Sequence, residues 1–362
     1  MTQDYATMHE IIVAARNNVP RSIWNYVTGA AETETTLRRN RGCLDALALR
    51  PRILRDVREI NTSTTFLGHE LRIPCLLAPI GSLQTITPEG GIAVAKAAQE
   101  FGTINFVSTV TEPTLEEIAA STDHTKIFQI YIRGDEIWVD DIIDRAREAG
   151  YAALCLTVDS AYYGRRERQL IAGWRPPSIK RYGEEARIHQ AGLTWDWMER
   201  MRERGGLPFI LKGVQTAEDA EIALQHGVDV IYVSNHGGRQ LDHGDGTIEI
   251  LKEVVDVAEG KAEIVVDGGI VRGTDVLKAL SIGASTVALG RFQAWALAAG
   301  GQPALVRALE IMEAEIRNAM GLVGVSSLDQ LDRGFVKEAR AIDRSNELSA
   351  FPFLPDEIRG PN

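Results

Sequence analysis

The chain has 362 residues, 44% hydrophobic and 25% charged, with a formal net charge of −11, ordinary values for a globular protein with a large core. The acidic excess repels phosphate backbones and anionic bilayers, which argues against a nucleic-acid partner or a membrane-surface protein. Three cysteines exclude a disulfide framework, no apolar run is long enough to span a bilayer, and MTQDYATMHE lacks a basic-then-apolar leader, so a cytoplasmic protein is expected.

In chain order, residues 1–70 read as a helical extension. Pro20 precedes RSIWNYVTGAAETETTLRRN, where Ile23, Trp24 and Val27 share one helical face, and no strong strand is expected before residue 72. From there short apolar runs recur at CLLAPI (75–80), TINFVS (103–108), IFQIYI (127–132), AALCLTVD (152–159) and PFILKGV (208–214). VDVIYVSN (228–235), EIVVDGG (263–269) and STVALGR (285–291) complete the series of eight. Helical patterns lie between them, introduced by Pro88, Thr114 and Asp135 and later by TAEDAEIALQHG, GTIEILKEVVDVAEG and TDVLKALSIGA, and several close on glycine.

Runs that are apolar throughout, rather than alternating, predict parallel strands covered by helices. Eight strand–helix units over 71–335 predict one α/β domain, a (β/α)8 TIM barrel, with 336–362 as a C-terminal tail. The competing arrangement, an open doubly wound sheet, needs a G-x-G-x-x-G loop after its first strand, and GSLQTITPEGG lacks that spacing. Residues 160–207 are too long for an ordinary connection after the fourth strand. Their polar GWRPPSIKRYGEE predicts a lid or binding loop.

In such barrels the chemistry sits at the C-terminal strand ends. Those ends carry Ser108, Gln129, Tyr131, Thr157, Asp159, Lys212, Ser234, Asn235, His236, Asp267 and Arg291. Polar residues there also serve as helix caps, so their convergence on one rim is the argument. His236, in SNHGGRQLD, follows an apolar strand, with Arg239 three residues on. An imidazole oriented by a carboxylate such as Asp159 suits proton abstraction, and an arginine fork suits a substrate carboxylate. His69 and His226 are expected to be structural. DGGIVRGTD and ALGR predict a phosphate site built from the amides at Gly268, Gly269 and Gly290 with the charge of Arg291. Lys212 ends an otherwise apolar strand and is expected to face an anion or an electron-rich cofactor. Of Arg165 and Arg166, one is expected to face the site. Cys75 and Cys155 read as buried hydrophobes, and no metal site is expected.

The motifs PRSIWNYVTGAAETETTLRRN, LRPRILRDV, LLAPIG, FQIY, LTVD, GRRE, LKGV, SNHGGRQLD, DGGIVRGTDVLKAL and LGR together resemble the FMN-dependent α-hydroxy-acid oxidases and dehydrogenases: glycolate oxidase, lactate oxidase and monooxygenase, mandelate dehydrogenase and flavin L-lactate dehydrogenase. The resemblance runs from about residue 5 to 335. It implies FMN as cofactor and oxidation of an (S)-2-hydroxy acid to the 2-oxo acid, with O2, a quinone or a cytochrome as acceptor. His236 would take the proton with Asp159 as partner, Arg166 and Arg239 would hold the substrate carboxylate, and Tyr26 and Tyr131 would hydrogen-bond the substrate. Ala78, Pro79, Ile80, Gly81, Ser108, Gln129 and Thr157 would contact the flavin ring, and Lys212 its N1 and O2. Ser234, Asp267, Gly268, Gly269, Gly290 and Arg291 would hold the ribityl chain and phosphate. A homotetramer is expected by the same likeness.

Departures from the family pattern are Val271 where an arginine is usual, Ala30 where glycine is usual, and Val110 and Tyr163 where glycolate oxidase has Trp and Leu. Gly81 and Val110 imply room for a side chain larger than that of glycolate, an aryl group included, with Tyr163 lining its pocket. The alternatives are a monooxygenase, an FMN-dependent isomerase of isoprenoid diphosphates, and a flavin-binding protein that has lost catalysis. An isomerase would not need the His236, Arg239 and Arg166 set.

Overall fold

The computed structural model describes residues 4–183, 185–341 and 345–359. Each predicted apolar run contains a barrel strand: β1 (Cys75–Leu77), β2 (Asn105–Ser108), β3 (Lys126–Ile130), β4 (Ala153–Thr157), β5 (Phe209–Val214), β6 (Val230–Val233), β7 (Glu263–Val266) and β8 (Thr286–Leu289). They close in sequence order into a parallel barrel, with β8 pairing β1. Both faces are covered: Leu76, Phe106, Ile127, Cys155, Ile210, Tyr232 and Val265 belong to a packed cluster of their own, while Leu77, Phe128, Leu156 and Val266 pack with residues of the surrounding helices. Such double burial explains why no strand alternates in polarity. Phe106 and Tyr232 meet at 5.8 Å. Truncating a phenylalanine so buried costs about 3–5 kcal/mol.

Helix starts follow the predicted caps. Thr114 accepts from the Glu117 amide in a capping box, and the Asp135 carboxylate accepts from the Trp138 amide. Register then fixes the rim, placing Ser108 level with Gln129 and Thr157 level with Lys212.

The N-terminal residues form α1 (Met8–Asn18), α2 (Arg21–Thr28) and α3 (Thr35–Asp45). Met8, Ile11, Ile12 and Ala15 of α1 are buried, and Asn18 donates to the Ala298 and Ala299 carbonyls of the helix Arg291–Val323, which is interrupted at Gly300–Gly301. Short strands do occur before residue 72. Leu47–Leu49 pairs antiparallel with Val336–Glu338, and Thr64–Phe66 forms a hairpin with His69–Leu71. The boundaries expected at 70 and 335 therefore fall inside a hairpin strand and just before a pairing strand. His69 contacts Thr125, and His226 caps its helix and stacks on Trp195.

Residues 160–207 are not one polar loop. They carry four short helices, Glu167–Ile171, Pro177–Tyr182, Arg187–Ala191 and Trp195–Gly205. Pro177 at a first helical position and the Thr194 cap are the local reasons, and both were obscured by the segment's polarity. Glu184 of GWRPPSIKRYGEE and residues 360–362 of the tail lie outside the described residues. No described helix is long and apolar enough to cross a membrane, and the described residues contain no His/Cys/Asp/Glu group able to hold a metal.

Candidate active site

A cavity of about 520 Å³ opens at the C-terminal rim, within the usual range for a small-molecule site. His236 lies against it in a turn with three successive positive φ values, 58° at His236, 63° at Gly237 and 76° at Gly238. A Cβ at Gly238 would lie 2.6 Å from the Leu37 amide nitrogen, so α3 can press against this turn only over glycine. The imidazole itself is held in a conformation that costs a non-glycine residue energy, so its surroundings must fix it there.

Nδ1 of His236 lies 2.9 Å from Oδ1 of Asp159, and Nε2 lies 3.3 Å from the Tyr131 hydroxyl. Burial by itself pushes the Asp159 carboxyl up, but His236 and Lys212 outweigh it and hold it down at about 2. An ionised carboxylate only accepts, so Nδ1 carries the hydrogen and Nε2 keeps its lone pair. Burial, with Lys212 and Arg166, pulls His236 below the usual imidazole value, against the opposite pull of Asp159. The ring is neutral at neutral pH. Burial keeps the Tyr131 phenol protonated, far above its ordinary pKa.

Arg166 donates to the Arg239 carbonyl and to Oε1 of Gln240, and Arg239 donates to the Tyr26 and Gly29 carbonyls. Neither has a carboxylate partner among the described residues. Burial, then the repulsion of Arg166 and Arg291, drives Arg239 well below the ordinary guanidinium value. Arg291 is drawn down to about 10 by burial and gives its donors to the Thr28, Gly29 and Gly237 carbonyls. Half-buried cations lacking carboxylate partners make this an anion site.

Lys212 donates to Ser234, which donates to Asp267, and the ammonium lies 3.9 Å from Asp159. Gln129 donates to Thr157 while its own Oε1 has no partner. Tyr26 donates to the Gly81 carbonyl and stacks 4.1 Å from Trp174 of the lid.

Of the predicted residues, Tyr26, Ala78, Pro79, Ile80, Gly81, Val110, Tyr131, Tyr163, Arg166, Lys212, His236, Arg239, Asp267, Gly268, Gly269, Gly290 and Arg291 line the cavity. Ser108, Gln129, Thr157, Ser234 and Asp159 do not line it and stand behind that wall. One packing expectation needs correction. A Cβ at Gly81 would lie 2.6 Å from Val110 Cγ2, so the space above Gly81 is already taken by Val110. Val271 lines the cavity as a buried apolar residue, and Arg272 beside it is turned away into an ion pair with Glu315.

Some lining and supporting residues were not picked out from the sequence. Trp174 and Arg187 come from the lid. Buried Gln190 ties the lid to β3 and β4 by accepting from the Ile132 amide and donating to the Thr157 carbonyl. Arg41 of α3 reaches the Gly269 carbonyl while paired with Asp275 at 2.7 Å. That arginine directly follows the LRRN that closes the N-terminal motif.

The donor set fits FMN. The Gly290 position has open space where a Cβ would stand, Gly268 and Gly269 line the same end beside Arg291, and Gln129 has an orphaned buried oxygen level with the rim. The model of the family described as FMN-dependent dehydrogenase matches residues 15–338. The chain belongs to this family. It is 37% identical to L-lactate oxidase of Nostoc sp. over 89% of this chain and 95% of that protein. It is 37% identical to 4-hydroxymandelate oxidase of Amycolatopsis orientalis (90% and 96%) and 35% identical to glycolate oxidase of Spinacia oleracea (92% and 96%). A crystal structure of mandelate oxidase superposes with a TM-score of 0.87 at 37% identity, covering 92% of this chain and 99% of that one. The protein is thus an FMN-dependent oxidoreductase of the 2-hydroxy-acid oxidising family, built on a (β/α)8 barrel.

Proposed function

We propose that the protein oxidises an (S)-2-hydroxy acid with a side chain bulkier than that of glycolate to the 2-oxo acid, with His236 as base. The observation that carries this is the imidazole whose Nδ1 is tied to Asp159 while Nε2 faces a cavity lined by Arg166 and Arg239. The two guanidiniums hold the substrate carboxylate in place of a protein carboxylate. Tyr131 and Tyr26 orient the carbinol by hydrogen bonds. Nε2 takes the hydroxyl proton, and Asp159 stabilises the imidazolium that results. Bound FMN supplies the two-electron acceptor for the carbinol C–H.

Ala78–Gly81, Ser108, Gln129 and Thr157 are the residues proposed around the flavin ring, with Lys212 at its electron-rich edge. Ser234, Asp267, Gly268, Gly269, Gly290 and Arg291 are proposed for the ribityl chain and phosphate. O2 is the proposed acceptor, because the relatives named above are oxidases. The larger substrate rests on Val110 and on Tyr163 as a wall, not on Gly81. Division into an extension (1–70), a barrel (71–335) and a tail (336–362), a homotetramer and a cytoplasmic location belong to the same proposal. They rest on the sequence pattern and family likeness, and sedimentation of the purified protein tests the tetramer.

The decisive experiment is anaerobic titration of the yellow holoprotein with (S)-2-hydroxy acids. Bleaching of the flavin absorbance is expected, followed by recolouring and H2O2 release on admitting O2. No bleaching with any 2-hydroxy acid would sink the proposal, and faster turnover of glycolate than of larger acids would sink its substrate-size part.

A further inference from the structure

The role proposed for Lys212 needs a buried ammonium whose charge stays available to the cavity, although two carboxylates flank it. Its Nζ lies 3.9 Å from Oδ2 of Asp159 and 4.0 Å from Oδ2 of Asp267, yet it donates to Ser234 at 3.1 Å. An ammonium and a carboxylate this close in a buried site ordinarily close to hydrogen-bonding contact, because their attraction is little screened there. Something holds Asp267 off. Both of its oxygens are taken by hydroxyl donors, Oδ1 by Ser234 at 2.8 Å and Oδ2 by Tyr232 at 3.0 Å.

Register explains how Tyr232 reaches this carboxylate. In the parallel ladder it stands level with Lys212 on β5 and with Val265 on β7. Asp267, two residues beyond Val265, therefore faces the same side. The ring is fully buried inside the barrel, 5.8 Å from Phe106, and Lys212 Nζ lies 5.1 Å from its centroid. A buried phenol needs a partner for its hydroxyl. Burial and the neighbouring Asp267 keep that hydroxyl protonated, so it donates. The oxygen it holds is the same Asp267 oxygen that stands 4.0 Å from Lys212.

We infer that Tyr232 is a positioning residue that keeps Asp267 from closing on Lys212 and thereby sets how much positive charge the flavin meets, an inference that rests on the proposed place of Lys212 at the electron-rich edge of FMN. Without the phenol oxygen, Oδ2 of Asp267 is a buried acceptor with no donor, and the ammonium beside it supplies one. Contact draws the lysine toward Asp267 and offsets its charge, so the electron-rich reduced flavin is favoured less. Tyr232 itself does not line the cavity. It acts through Lys212 and Asp267.

The test is the two-electron potential of bound FMN, read by chemical reduction against a reference dye in the holoprotein and in its Tyr232→Phe variant. Phenylalanine keeps the ring, its packing and its face toward Lys212, and removes only the oxygen. The potential is expected to fall by about 30 mV, a tenfold shift in the reduction equilibrium. A second pair of variants, Asp267→Asn with and without Tyr232→Phe, removes the carboxylate that would close on the lysine. In that background the loss of the phenol oxygen should leave the potential nearly unmoved. An unchanged or raised potential in Tyr232→Phe, or an equal fall in both backgrounds, would overturn the positioning role and leave the proposed oxidation standing. The reductant is not the substrate, so the two readings fail separately. A flavin that shows the expected fall but is not bleached by any 2-hydroxy acid would sink the oxidation and support the role of Tyr232.

Discussion

The two ends of the cavity are made positive by different means. Toward β4–β6 the charge is in side chains: Arg166 and Arg239, half-buried, lacking carboxylates and held by backbone carbonyls and Gln240. Toward β7 and β8 it comes from the backbone around Gly268, Gly269 and Gly290 with Arg291, while Arg41, the other guanidinium there, is already neutralised by Asp275 and Asp45. Side-chain charge is lost with one substitution. Backbone polarity is not.

The largest test of this contrast is His236→Ala. It should keep the yellow colour and lower the rate of anaerobic flavin reduction about 10³-fold, the scale of a lost general base. The intact enzyme should lose kcat/KM as pH falls through the His236 pKa, below the usual imidazole value, because the protonated ring cannot accept. Asp159→Asn removes the charge that raises this pKa, so the acid limb should move to lower pH as kcat drops. A limb that stays in place would separate Asp159 from the base.

Next in size, Arg239→Met should cost about 100-fold in kcat/KM, mostly through KM, with FMN affinity little changed. Loss of FMN instead would blur the distinction between the ends. Val271→Arg should tighten FMN about tenfold, read as a smaller recovery of flavin fluorescence on dilution, by adding a second charged donor beside Arg291 and the backbone amides. The smallest effect is steric. Gly81→Ala should destabilise the holoprotein by about 1–3 kcal/mol through overlap with Val110. Adding Val110→Ala should restore most of the lost Tm, and no restoration would show the contact to be unimportant.

Apolar runs made the barrel legible because every strand is buried on both faces, and the rim residues followed from strand ends. The lid's helices were not legible, since short polar helices carry little periodicity and Gln190 is recognisable only once it bridges two strands. Arg133 and Arg187 escaped notice for a related reason. Both lie over the ring of Tyr163, which gathers residues from two separate connections. The filling of the Gly81 space by Val110 is likewise a matter of distance in space.

The pairing of α3 with the loop after β7 also bears on how the chain matures. Leu37, Asn40 and Arg41 contact Gly238, Gly268, Gly269 and Asp275, partners emerging about two hundred residues later in synthesis, and α1 waits longer still for the helix beginning at Arg291. These segments therefore cannot dock until the later barrel elements have been synthesised, and Leu47–Leu49 must wait for Val336–Glu338. Until then Met8, Ile11 and Ile12 lack the surface that buries them in the folded protein.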